Sequence, residues 1–143
     1  DSITTDDAYH SLTIEGYTVT KALLNYLAEG NDNPEEHFPE DLRNQLAAKG
    51  FMNVISYIKK LITAKYEVNE RLVAKLYEEL WKPSISANVM APQDIYRKHM
   101  VTLRGAQHVP PNHEKLPYLL SELFEMVKKI ESGFAKAIFL HFF

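Results

Sequence analysis

Ser11 and Glu15 stand four positions apart, with Gly16 directly behind them. On a helix that spacing puts a hydroxyl and a carboxylate on one face, one turn apart. Gly16 then lets the chain turn sharply, or lets another backbone come close. Read alone, the stretch fits either a surface Ser–Glu contact before a helix stop or part of a site. A second chemically dense stretch is Tyr96 to Pro111, which contains Arg97, His99, Arg104, Gly105 and His108 and ends on two prolines. The six histidines, His10, His37, His99, His108, His113 and His141, include no H-E-x-x-H pair and no other tight metal spacing. His108 and His113 flank the prolines, which places them on a loop without making a metal site. Five scattered glycines write neither a P-loop nor a G-x-G-x-x-G turn, and no G-x-S-x-G elbow occurs. Glu35-Glu36 and Glu78-Glu79 are adjacent pairs, which point apart on a helix and read as solvated faces rather than an acid/base couple.

The chain that must position these residues has 143 positions, 45% of them apolar and 24% charged, the arithmetic of one ordinary globular domain. Sixteen basic residues against nineteen acidic ones leave a net charge of −3, so no nucleic-acid binding driven by bulk charge is expected. The absence of cysteine excludes disulfides, thiolate zinc sites and a cysteine nucleophile. No apolar run approaches the ~20 residues of a membrane span. Asp1 to Asp7 carries three acids and no base, unlike a secretory signal. The absence of cysteine and of a signal peptide fits a cytoplasmic protein.

The apolar spacing is mostly helical. A short helix is expected over Lys21 to Ala28 with Gly30 as its terminator. Leu42 to Ile62 gives one or two helices, with Gly50 as a stop or bend. Leu72, Val73, Leu76, Tyr77 and Leu80 make one face of another, capped by Asn69 and closed by Pro83. Leu116 to Ile130 forms a long stripe that Gly133 closes, and Phe134 to Phe143 begins a last apolar helix. One stretch breaks the period: Val101 and Leu103 alternate with Thr102 and Arg104, Gly105 sits at the turn, and Pro110-Pro111 ends the second arm. That predicts a short β-hairpin between helices. The expected fold is all-α with that single hairpin. The chain ends on His141-Phe142-Phe143, inside an apolar helix with no cap or polar tail. That ending reads as the first part of a longer protein.

Taken in order, these pieces resemble the N-terminal portion of a Fic-domain (Fic/DOC superfamily) protein with an N-terminal inhibitory helix. Leu80-Trp81-Lys82-Pro83-Ser84, then Tyr96-Arg97 and Val101, then His108-Val109-Pro110-Pro111, are similar to the approach to the Fic flap hairpin and the flap itself. Leu116-Pro117 through Leu123 matches the helix that follows, and Ala135 to Phe142 the helix that leads into the catalytic loop. Ser11-x-x-x-Glu15-Gly16 matches the inhibitory motif [S/T]-x-x-x-E-[G/N]. The resemblance divides the chain into an inhibitory-helix segment over 1–30, N-terminal helices over 31–95, and flap with first core helices over 96–143. The signature H-P-F-x-x-G-N-G-R-x-x-R is absent and would follow Phe143, so no catalytic residue is assigned in this chain.

The resemblance implies an adenylyltransferase, which moves AMP from ATP to a hydroxyl side chain of a target protein, with Mg²⁺ on the phosphates. Ser11, Glu15 and Gly16 would form the inhibitory site. Glu15 would occupy an arginine that otherwise binds the γ-phosphate, since carboxylate and phosphate compete for one guanidinium. The target would lie along Val101, Thr102, Leu103, Arg104, Gly105, Ala106, Gln107, His108 and Val109 by strand pairing. A homodimer is compatible with the resemblance; membrane and nucleic-acid partners are not expected in this segment. Two other readings stay open. One is a non-catalytic helical inhibitor or interaction module, and the other a relative that moves a different phosphate-containing group or removes AMP.

Overall fold

The computed structural model describes residues 2–62, 66–92 and 94–142. Asp1 and Phe143, the outer ends of the expected first segment and last helix, lie outside the described residues. Among the described residues six α-helices follow one another: α1 (Ser2–Ile14), α2 (Lys21–Ala28), α3 (Leu42–Ile62), α4 (Glu70–Ser86), α5 (Leu116–Lys128) and α6 (Gly133–Phe142). Short 3₁₀ turns precede α3 and α5, at Pro34–Glu36 and His113–Lys115. No strand occurs among the described residues. No helix of the described residues is long and apolar enough to cross a membrane.

The chain divides into two compact units, one from residues up to 66 together with those from Lys75 to 92, the other from Glu67–Ala74 and residues 94–142. In the first, α1, α2 and α3 pack on one another around Ala8, Leu12, Val19, Leu23, Leu24, Leu27, Ala47, Ala48 and Met52. The helix period explains the set. Leu23, Leu24 and Leu27 are the inward stripe of α2, and Ala8 and Leu12 lie one turn apart on α1. Polar ties register the helices. Buried Thr5 donates to Asn25 Oδ1 at 2.9 Å, and Thr18 N–H donates to Asn44 Oδ1 at 3.1 Å. The Thr20 hydroxyl caps α2 by accepting from Leu23 N–H at 3.2 Å and donates to Glu40 at 2.6 Å. Asn69 caps α4 as its sequence position predicts, its side chain accepting from Leu72 N–H at 3.1 Å.

Three expected helix stops are corrected. Gly50 lies inside the unbroken α3, buried, at a close crossing. A Cβ there would overlap the carbonyl oxygen of Leu80 on α4 and lie 2.9 Å from the carbonyl carbon. Its missing side chain serves packing between helices, not termination. Pro83 does not end α4, which runs through it to Ser86. A proline costs the ring's missing N–H and a clash one turn back, and its burial offsets that cost here. The stop is Asn88, in the left-handed region at φ 55°, where Val89 N–H returns to Ser84 O at 2.9 Å and Asn88 N–H to Ile85 O at 3.0 Å. Those two bonds are a Schellman cap with asparagine in the glycine position. Gly133 does not close α5, which ends at Lys128; it is the first residue of α6, behind the Ser132 cap whose carbonyl accepts from Lys136 N–H at 2.9 Å.

In the second unit, Phe124 and Val127 are the buried apolar residues of α5. Tyr118, Met126, Phe134 and Ile138 are exposed on α5 and α6.

Candidate functional site

The residues flagged by sequence fall into two groups, one in each unit. Ser11, Glu15 and Gly16 end α1. The helix closes in a Schellman cap: Tyr17 N–H donates to Leu12 O and Gly16 N–H to Thr13 O, both at 3.0 Å. The cap needs a left-handed residue at its last position, and Gly16 supplies it at φ +84°. Glu15 is thereby the C-cap residue and is exposed. Its backbone N–H donates to Ser11 O at 3.2 Å, but its carboxylate has no ion pair or hydrogen bond among the described residues, and none joins it to the Ser11 hydroxyl. The surface Ser–Glu contact does not form. A carboxylate at this end also opposes the helix dipole, where the carbonyls already concentrate negative charge.

The second group is the loop from Lys98 to Pro111. The expected hairpin over Val101, Thr102, Leu103, Arg104, Gly105, Ala106, Gln107, His108 and Val109 is not formed. Its turn is: Ala106 N–H donates to Leu103 O at 3.1 Å, and Gly105 takes the positive φ of +77°. One left-handed residue in the third turn position is the type II pattern, which splays its flanks, whereas tight hairpins need primed turns. With short arms and residues 102–109 exposed, nothing drives a ladder that a lone two-stranded ribbon barely supports in water.

Side chains close the base of this loop instead. The Arg97 guanidinium donates to His99 O at 2.9 Å and, from its other terminal nitrogen, to Pro111 O. It thus joins two chain positions that strand pairing would otherwise have held. Tyr96 donates its hydroxyl to Glu70 Oε1 at 2.6 Å. Burial of the phenol, with the Glu70 carboxylate beside it, pushes its pKa from 10.0 up to about 12. Glu67 meets Lys128 of α5 at 3.3 Å, and Asn112 caps the 3₁₀ turn by accepting from Glu114 N–H at 3.1 Å. Sequence placed Tyr96 and Arg97 only at the approach to the expected hairpin. Nothing in their spacing says that a carbonyl fourteen residues on is the partner.

Two expected outcomes follow from this base. Replacing Arg97 by alanine removes the clamp while leaving α5 intact. Cleavage within 102–109 by a trace of protease should then rise on the order of tenfold, as expected for losing charge-assisted bonds that hold an exposed loop. An unchanged rate would mean that the loop is held by something else. Tyr96 should be the last tyrosine to ionise in an ultraviolet titration. The unfolded chain releases this proton near pH 10, the folded one near pH 12, so stability from this group falls as pH rises through that window. A Tyr96→Phe variant that titrates like the wild type at high pH would contradict it.

Two depressions in the first unit, of about 270 and 610 Å³, include Thr4, Gly30 and Lys59 in one and residues of α3 and α4 in the other; none of Ser11, Glu15 and Gly16 lines either. Among the described residues no group of three His, Asp or Glu gathers that could hold a metal ion. No family model, curated protein or solved structure matches this chain.

Proposed function

We infer that this chain is part of a Fic-type protein adenylyltransferase, restrained by its own α1 through Glu15. The observation that carries the reading is the state of Glu15. It is exposed, it stands where the helix field disfavours a negative charge, and it has no partner among the described residues. A carboxylate kept at such a position serves no local stabilising role, and an arginine elsewhere is the partner that the inhibitory motif supplies. The Gly16 cap fixes the backbone of Glu15 at the end of α1 and leaves its carboxylate free to reach a guanidinium.

The reaction so assigned joins a target hydroxyl oxygen to the α-phosphorus of ATP and breaks the bond to pyrophosphate. The hydroxyl proton goes to a general base, the histidine of the signature, which this chain does not contain. Mg²⁺ finds no cluster of ligands among the described residues and would be held by the nucleotide phosphates and by residues of the signature. The part left to this chain is to present the target along 98–111 and to block the γ-phosphate position with Glu15. The exposed apolar residues of α5 and α6 support the reading, since on the resemblance both would be core helices. Labelled AMP transfer by the complete protein, with Glu15 present and removed, tests it.

A further inference from the structure

Residues 97–111 contain Arg97, Lys98 and Arg104, two histidines, and no aspartate or glutamate, in a chain whose net charge is −3. Arg97 is committed to the loop base. Lys98 is exposed and forms a long ion pair with Asp94 at 4.0 Å, an exposed pair that an incoming carboxylate can replace. Arg104, at the turn, is exposed and has no acidic partner among the described residues. Beside these cations, Met100, Leu103 and Val109 are 53%, 54% and 69% exposed. The backbone on both sides of the turn enters no ladder, so its N–H and C=O groups are open to an incoming chain. The loop is therefore unpaired, anchored at its base, apolar in patches and positive.

We propose that this loop docks an acidic, extended peptide segment with apolar residues between its acids. The inference rests on the loop being the receiving surface and adds the class of segment it receives. Backbone pairing gives affinity without sequence preference, and the side chains then select. Arg104 and Lys98 favour carboxylates, and they repel a basic segment of the same length. Leu103 and Val109 bury against apolar residues at alternate positions. A single-stranded nucleic acid is the less favoured ligand. Residues 97–111 contain no Phe, Tyr or Trp on which a base could stack.

The test is direct binding, read by fluorescence anisotropy on the intact chain at low salt. Three labelled twelve-residue probes are compared: alternating glutamate and valine, the same peptide with lysine for glutamate, and an oligothymidylate. The glutamate peptide should bind on the order of tenfold tighter than the lysine peptide. The gap should narrow as salt is raised, and Lys98→Glu with Arg104→Glu should reverse the order. Equal binding of the two peptides overturns the acidic preference alone. Tighter binding of the oligonucleotide makes the loop a nucleic-acid surface, and no binding of any probe overturns it as a docking surface. The transferase reading stands or falls separately, because AMP transfer on releasing Glu15 does not depend on this affinity.

Discussion

Replacing Glu15 by glycine in the complete protein is expected to raise AMP transfer from ATP by on the order of 10- to 100-fold. The magnitude follows from what is removed. A carboxylate–guanidinium hydrogen bond is worth about 1.5–3 kcal/mol net, and each 1.4 kcal/mol is a factor of ten. The substitution breaks no side-chain hydrogen bond or ion pair within the described residues, and the left-handed position of the cap belongs to Gly16. Its cost to folding is that of one more glycine at a helix end, at most about 1 kcal/mol. An increase in transfer could then not be ascribed to an altered fold. Glu15→Gln should give an intermediate rise, keeping the shape while losing the charge. Unchanged labelling in Glu15→Gly, beside an active wild-type reference, removes the inhibitory assignment. Labelling that appears in neither protein removes the transferase reading.

The residues that sequence placed well are those whose partners are local. The α2 stripe, its limits at Lys21 and Ala28, the Gly30 stop and the Asn69 cap depend on spacing within a few positions. The turn at Gly105 was legible for the same reason. Its failure to become a hairpin was not, because the turn's handedness decides whether the arms converge. Pro83 and Gly50 misled in a shared way. Each has a local cost that signals a stop, and each is outweighed by burial that only the folded unit supplies. Asn88 did the work assigned to Pro83, which its positive φ and the two cap hydrogen bonds reveal. At the candidate site, Ser11, Glu15 and Gly16 were legible as a motif. The lack of any partner for the Glu15 carboxylate was not, since it is a statement about what surrounds the helix end.

Gly50→Ala is the substitution that should cost the fold most for its size. In an exposed helix interior the same change gains about 1 kcal/mol of helix propensity. Here the new methyl meets the Leu80 carbonyl, a backbone group of α4 that cannot rotate away. Either α3 and α4 separate, or the carbonyl tilts out of its helical bond. Overpacking of this kind costs about 1–3 kcal/mol, and more where no flexible side chain can yield. The net expectation is a loss of about 2 kcal/mol, seen as a Tm lower by about 5 °C or more. Gly133→Ala is the internal control. That glycine is the first residue of α6, and an added Cβ meets nothing within 4 Å. It should leave stability unchanged or raise it by about 0.5 kcal/mol. Opposite signs from one chemical change at two helical glycines would locate the effect in the crossing. A Gly50→Ala protein as stable as the wild type would mean that the two helices do not approach this closely at Leu80.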